Sequence, residues 1–191
     1  MIGGIVFLGN PGPDYAQTRH NIAWLFADLW AGDADVWKNK FKGEISQIRI
    51  SSNRFQLIKP QTFMNRSGES ASQWLQFYKI KPENLLVVHD DLELDFGEAG
   101  IKNGGGLAGH NGLRSLSQQL GTREFYRFRL GISRPARGSV SSYVLSAFDK
   151  NEKEVLREFL INSGDLLTSF LTSASQTVPP AFNKKRIVSV S

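Results

Sequence analysis

The sequence predicts an α/β protein that folds as one compact domain. An apolar run at 5–9 is followed by a polar loop at 10–21 and an amphipathic segment at 22–30, the pattern of a strand, a loop and a helix. A nearly continuous apolar run at 84–89 is typical of a strand buried on both faces. The chain has 191 residues, 40% of them hydrophobic, which is enough to bury one substantial core.

Composition narrows the function classes before any motif is considered. The chain has no cysteine, which excludes disulfides, thiolate zinc sites and a thiol nucleophile and fits a reducing compartment. The net charge of +5 fits either simple solubility or attraction to a polyanion such as a nucleic acid, and charge alone favours solubility. Neither a signal-like N-terminus nor an apolar run of about 18 residues is present, so we expect a soluble, cytosolic protein.

The N-terminal half is expected to continue with a hairpin and a second helix. Two β-rich runs, 43–50 and 55–59, flank a polar turn and predict an antiparallel hairpin. Pro60 ends the second run because proline has no N–H to donate to a neighbouring strand. Apolar side chains at helical spacing then predict a helix that begins near Ser67: Ala71, Trp74, Leu75 and Tyr78.

The C-terminal half alternates short strands with helices. The buried strand at 84–89 is followed by four carboxylates within 90–95, a short candidate strand at 99–102 and a glycine-rich loop at 104–109. A helix is expected near Asn111, with Leu113, Leu116 and Leu120 directed inward. The remaining predictions are a half-exposed strand at 125–132 with its arginines on one face, a short helix within 139–148, a long helix at 152–171 and a loosely ordered basic tail at 176–191, all within one domain, 1–191.

A histidine, an acid and several amides are the side chains best suited to chemistry. His20 is the only side chain of its loop that exchanges a proton near neutral pH. A neutral imidazole can take a proton from water when a carboxylate fixes its tautomer, and Asp90 follows the buried strand. Asn10, Asn65 and Asn111 each lie where a loop meets a predicted element, and their amides can hold a carbonyl or an oxyanion. A single asparagine at such a junction is more often a cap or turn residue.

Other chemistries are less well supported. The glycines at 104–109 satisfy G-x-G-x-x-G, but a dinucleotide site needs an acid about 20 positions later on the next strand, and Glu124 precedes a basic strand instead. The histidines lack the helical spacing of metal ligands. A hydrated magnesium ion at Asp90, Asp91 and Asp95 is an alternative, but a solvated acidic loop is the favoured interpretation of these residues. No G-x-S-x-G serine elbow is present.

Five motifs, in order, closely resemble those of bacterial peptidyl-tRNA hydrolases. They are LGNPG with the following Tyr and TRHN (8–21), KPQTFMNRSG (59–68), HDDLEL (89–94), GGG with GHNGL (104–113), and FRLGI with Pro135 (128–135). The resemblance implies one α/β domain with a mixed twisted sheet surrounded by helices, a monomer that needs no cofactor. It also implies the reaction: hydrolysis of the ester that joins a peptide to the terminal ribose of tRNA, which releases the tRNA for reuse.

The resemblance also implies roles for individual residues. His20 would be the general base that activates water, Asp90 would stabilise its protonated form, and Asn10 would position the substrate and distinguish a blocked amine from a free one. Contacts to the peptidyl-adenosine end would come from Tyr15, Phe63, Asn65 and Asn111, with Met64 and His110 as walls of the site. Lys102 and Arg129 would lie near the tRNA phosphates, although the residues alone favour a solvated strand face for Arg129.

The chain departs from the family pattern beside these residues, and two other function classes compete. Leu107 stands where the family often has histidine or another small or polar residue, Ala108 where glycine is common, and Asp91 where glutamate is frequent, which affects the expected shape of the loop wall. An RNA-binding relative without activity would not need His20 or Asp90. A general esterase for small acyl esters would not need the basic residues.

Overall fold

The computed structural model describes residues 1–173, 177–178 and 180–189. Within them, eight strands form one sheet in the order β2-β3-β4-β1-β5-β7-β6-β8. The strands are β1 (Gly4–Phe7), β2 (Lys38–Lys40), β3 (Gly43–Ile50), β4 (Asn53–Pro60), β5 (Leu85–Asp91), β6 (Glu98–Asn103), β7 (Tyr126–Gly131) and β8 (Lys185–Arg186). The helices are α1 (Ile22–Trp30), α2 (Ser67–Tyr78), α3 (Asn111–Leu120), α4 (Val140–Val144), α5 (Lys150–Thr172) and α6 (Pro180–Asn183).

The sheet is mixed, as predicted. Strands β4, β1, β5 and β7 run parallel at its centre, with Ile5 opposite both Leu57 and Leu86, and Val88 opposite Phe128. The pairs β3–β4 and β6–β7 are antiparallel. The carboxyl ends of the parallel strands therefore meet at one edge, where open α/β sheets bind their ligands.

Helices cover both faces of the sheet, which explains why the central strands are apolar without alternation. Phe7 and Val88 face the larger core, which they share with α1 and α5. Val6 and Val87 face the smaller core, which they share with α2 and α3. Helices α2 and α3 pack closely because Gly68 has no side chain: a Cβ there would lie 2.3 Å from the carbonyl oxygen of Ser115.

The predicted hairpin, buried strand and helices are confirmed, and two strand predictions need correction. Strand β2 is a short exposed edge strand that no sequence pattern indicated. Strand β7 is not half-exposed with its arginines on an open face, because four of its six residues are buried and the other two are partly buried. Arg127 is only 2% exposed, and the two terminal nitrogens of its guanidinium donate to the carbonyl oxygens of Gly105 and Gly106 at 2.8 and 2.5 Å inside the fold.

The C-terminal segment contains regular elements where it is described. Of the range 176–191, predicted to be loosely ordered, residues 176, 179, 190 and 191 lie outside the described residues. The rest includes α6 and β8, and β8 pairs antiparallel with β6. Loose order of this segment stays a prediction. Among the described helices, none combines the length and the apolar composition needed to cross a bilayer.

Candidate active site

A pocket of about 760 Å³ opens at the edge where the parallel strands end. Its lining includes every residue to which the resemblance gave a role. The loop after β1, the end of β5, the glycine-rich loop before α3 and strand β7 all contribute to it. Residues that are far apart in the sequence therefore share one cavity.

His20 and Asp90 form a buried hydrogen-bonded pair at the floor of this pocket. His20 lies in a 3₁₀ turn, Arg19–Asn21, directly before α1, and Asp90 is the penultimate residue of β5. Nδ1 of His20 is 2.8 Å from Oδ1 of Asp90 and 3.0 Å from Oδ2. A carboxylate can only accept, so we assign the proton to Nδ1 of His20, which leaves a lone pair on Nε2.

The pKa values of this pair are shifted in opposite directions. Burial lowers the pKa of His20, but the charge and the hydrogen bond of Asp90 outweigh burial, so the net pKa is raised above its ordinary value. Burial also acts to raise the pKa of Asp90, yet the two histidines His20 and His110 hold it far below its ordinary range. Asp90 is therefore ionised at neutral pH, and it favours the protonated form of His20.

His110 is the second histidine bound to Asp90. Its Nε2 is 2.9 Å from Oδ1 of Asp90, and its ring centroid is 5.0 Å from that of His20. Its Nδ1 accepts the backbone N–H groups of Gly112 at 3.1 Å and Leu113 at 3.3 Å, which makes His110 the N-cap of α3. Since Nδ1 is an acceptor, Nε2 must carry the proton that His110 donates to Asp90.

The arrangement is better described as a hydrogen-bonded group than as a metal centre. Ligand atoms of His20, Asp90 and His110 lie within 4.8 Å of one another, a spacing that a metal ion could bridge. However, the nitrogens that face Asp90 both carry protons, and the other nitrogen of His110 caps α3, so a metal would displace these interactions. Asp91 and Asp95 have other partners, Arg129 and Arg186, and form no such group with Asp90 among the described residues.

Asn10 is held by its own loop and by the helical turn that precedes α2, Met64–Arg66. Its backbone N–H donates to Oδ1 of Asn21 at 2.9 Å, and Nδ2 of Asn21 donates back to the carbonyl oxygen of Asn10 at 2.9 Å. Oδ1 of Asn10 accepts the backbone N–H of Met64 at 2.8 Å. With its oxygen engaged, Asn10 presents its Nδ2–H donors as the part of the amide available to a ligand.

Aromatic and amide side chains form the rim of the pocket. The rings of Tyr15 and Phe63 meet edge to face with centroids 6.2 Å apart, and Phe63 is 54% exposed. Asn65 and Asn111 are exposed and also line the pocket. This rim offers flat apolar faces next to uncharged hydrogen-bonding groups, a combination suited to a nucleoside attached to a peptide.

The two predicted phosphate contacts, Lys102 and Arg129, differ in their availability. Lys102 is exposed. The guanidinium of Arg129 lies 3.3 Å from Oδ2 of Asp91 and also donates to the carbonyl oxygen and to Oδ1 of Asn183, the latter at 3.1 Å. Arg129 is thus only partly exposed, and an acid and the C-terminal segment already hold its guanidinium.

Arg19 is a buried residue of the site region whose position sequence reasoning missed. Its guanidinium pairs with Glu152 at 2.5 Å, donates to the carbonyl oxygen of Ala147, and lies 4.4 Å from the ring centroid of Tyr143. Its backbone N–H donates to the carbonyl oxygen of Ser146 at 3.0 Å. These contacts fasten the turn that carries His20 to the segment around α4, which forms one wall of the pocket. The TRHN motif, to which Arg19 belongs, was the only signal in the sequence.

Comparison with known proteins identifies the family of this site. The peptidyl-tRNA hydrolase family model matches residues 4–189 of the chain. The chain belongs to the peptidyl-tRNA hydrolase family. Among similar relatives, the peptidyl-tRNA hydrolase of Citrifermentans bemidjiense is 44% identical over 183 residues, covering 95% of this chain and 97% of the relative. The peptidyl-tRNA hydrolase of Treponema pallidum is also 44% identical, and that match covers 97% of this chain and 96% of the relative.

Solved structures of peptidyl-tRNA hydrolases share the fold described above. The crystal structure of the enzyme from Acinetobacter baumannii has a TM-score of 0.82 and 37% sequence identity, and the match covers 89% of this chain and 88% of that one. The predicted family, the enzyme class and the mixed α/β fold are thereby confirmed. The match to the family model also extends beyond the motifs, since it includes the described part of the C-terminal segment.

Proposed function

We propose that this peptidyl-tRNA hydrolase cleaves the ester between the peptide and the terminal ribose of peptidyl-tRNA, with His20 as the general base. The observation that carries the proposal is the hydrogen bond of 2.8 Å between Nδ1 of His20 and ionised Asp90. It directs the lone pair of Nε2 away from Asp90, and His20 lines the pocket. A neutral imidazole held in this tautomer is the standard arrangement for activating water.

The pair of His20 and Asp90 accounts for every proton transfer in the reaction. Nε2 of His20 takes a proton from water while the water oxygen attacks the ester carbonyl, and the negative charge of Asp90 stabilises the imidazolium that forms. Collapse of the tetrahedral intermediate breaks the bond to the ribose oxygen, which receives the proton from His20. The products are a free peptide acid and a tRNA with its terminal hydroxyl restored.

Amide groups position the substrate and stabilise developing charge in this scheme. Nδ2 of Asn10 donates to a carbonyl oxygen of the peptide, and its fixed direction lets it distinguish a blocked amine from the free ammonium of an aminoacyl-tRNA. Asn65 and Asn111 contribute uncharged donors and acceptors at the rim. The Met64 side chain is only 4% exposed and supplies an apolar wall.

The remaining contacts bind the RNA part of the substrate. Tyr15 and Phe63 offer ring faces on which the terminal adenine can stack. Lys102 and Arg129 contact phosphates of the acceptor end, which makes affinity depend on salt. His110 completes the wall between the base and the glycine-rich loop. The enzyme acts in this proposal as a cytoplasmic monomer without a cofactor.

The test is release of peptide from an N-blocked aminoacyl-tRNA by the wild type and by His20→Ala. We expect the alanine variant to lose about three or more orders of magnitude in kcat, since it removes the base. Gln17→Ala, an exposed position in the same loop, is the matched control and should keep full activity. An inert wild type, or an alanine variant as fast as the wild type, contradicts the role of His20.

Two additional substrates separate the competing function classes. A small acyl ester cleaved as efficiently as peptidyl-tRNA would favour a general esterase. Binding of tRNA without any release of peptide would favour an RNA-binding protein. The proposal expects cleavage of peptidyl-tRNA with a strong preference over the small ester, because only the tRNA substrate carries phosphates for Lys102 and Arg129 to contact.

A further inference from the structure

We propose that His110 is a positioning residue that limits the proton affinity of His20 by donating a second hydrogen bond to their shared partner, Asp90. The inference rests on the proposed role of His20 as the base. Oδ1 of Asp90 is 2.8 Å from Nδ1 of His20 and 2.9 Å from Nε2 of His110. One carboxylate oxygen therefore receives a donor from each histidine.

The donor on His110 is permanent because the other side of its ring is committed. Nδ1 accepts two backbone N–H groups at the start of α3, those of Gly112 and Leu113. With Nδ1 engaged as an acceptor, the ring proton of His110 lies on Nε2, which is directed at Asp90 at 2.9 Å.

The second donor changes what Asp90 does to His20. A carboxylate that accepts a hydrogen bond from one histidine only stabilises the imidazolium form of that histidine more strongly than a carboxylate that also accepts from a second donor. A base must be neutral to accept a proton from water, so a proton affinity that is too high removes the active form at working pH. His110 thereby keeps more of His20 in the neutral form while Asp90 still fixes its tautomer.

Other charged groups near His20 are neutralised or directed elsewhere. His89 on β5 meets His110 edge to face at 5.1 Å, and burial holds its pKa well below the ordinary value, so it carries no charge. The guanidinium of Arg19, the neighbour of His20 in sequence, is paired with Glu152 of α5 and stacked on Tyr143 of α4. The pH at which His20 titrates is thus set by Asp90 together with its second partner, His110.

The test uses His110→Asn. Asparagine is a favoured N-cap residue, so it can keep α3 capped, but its side chain is too short to reach Asp90. The titration of the His20 ring is followed by NMR, and kcat/KM is followed against pH. We expect both midpoints to move upward by about half a pH unit or more, with a larger loss of activity at low pH than at high pH. Gln118→Ala, exposed on α3, should leave both midpoints in place.

The shift must also depend on Asp90. In an Asp90→Asn background, the same substitution at His110 should no longer move the midpoint of His20, as a double-mutant cycle requires for a coupled pair. His110→Ser, which also caps helices well, serves if the asparagine variant does not fold. A folded variant whose His20 midpoint is unchanged or lowered overturns the inference. The NMR titration does not depend on enzyme activity. An inactive wild type would therefore contradict the proposed function, while the NMR titration would still test the coupling between His110 and His20.

Discussion

Replacing Asp90 by asparagine removes the negative charge that faces His20 and nearly preserves the shape of the side chain. The hydrogen-bonded atoms are 2.8 Å apart, and both side chains are buried. With the two charges centred about 4 Å apart and an effective dielectric constant of about 20, the imidazolium gains about 4 kcal/mol from the carboxylate. At about 1.4 kcal/mol per factor of ten, loss of this stabilisation slows the chemical step by roughly a thousandfold.

The substitution also disturbs the proton arrangement, which adds to the loss. The amide of asparagine can turn its NH₂ group toward Nδ1 of His20, and that contact would stabilise the tautomer with the proton on Nε2, where no proton can be accepted. Single-turnover release of peptide from a blocked aminoacyl-tRNA measures the chemical step directly. The dissociation constant for the tRNA should change little, because Asp90 contacts the two histidines and not the phosphates.

The matched control is Asp95→Asn, the same chemical change at an exposed aspartate that lies five positions further along the chain and pairs with Arg186. It should keep the single-turnover rate of the wild type within about twofold, since exposed ion pairs contribute little. A loss of less than about tenfold in Asp90→Asn would refute the argument that Asp90 stabilises protonated His20. An equal loss in the control would point to folding instead, which thermal unfolding of both variants would reveal.

Three further predictions follow from the same contacts. The pKa of His20 is raised, so kcat/KM should increase with pH through a midpoint above the ordinary histidine value of about 6.5, as a pH–rate profile will show; a midpoint below that value contradicts it. Lys102→Ala should weaken tRNA binding and flatten its salt dependence without slowing cleavage of a minimal peptidyl-adenosine ester. Arg129→Ala should also lower the melting temperature, because the partners of Arg129, Asp91 and Asn183, belong to the fold. Arg19→Met leaves Glu152 buried without its partner and should reduce the free energy of unfolding by about 3 kcal/mol in urea titrations, and an unchanged value would contradict this.

Local patterns in the sequence were sufficient to predict most of the elements. The predicted helix at 22–30 coincides with α1, and the helix expected from Ser67 begins at that residue. These predictions succeeded because the spacing of apolar residues along one element reflects which side of it is buried. The same reasoning failed at Arg127, where alternation of basic and aromatic residues suggested an exposed strand face. Its partners, two glycine carbonyl groups, belong to a loop that sequence spacing cannot place.

For the candidate site, the sequence predicted the members and the pairing of His20 with Asp90, but not the bond between His110 and Asp90. The resemblance named His20, Asp90 and His110, which share one pocket, but it assigned His110 to the wall of the site. The bond between His110 and Asp90 joins residues 20 positions apart on different elements, and the bond between His20 and Asp90 spans 70 positions. Such pairings depend on how strands β1, β5 and β7 lie side by side, and this order is not encoded in any local pattern.

The paired hydrogen bonds between Asn10 and Asn21 close the neck of the loop that carries the base. Each residue both donates to the other and accepts from it, so the two ends of a chain segment spanning 11 positions are held together independently of what lies between them. The tip of this loop is largely exposed, while its two ends are buried. The tip is therefore the place where residues can be exchanged or inserted to adjust the choice of substrate while the reacting groups keep their separation.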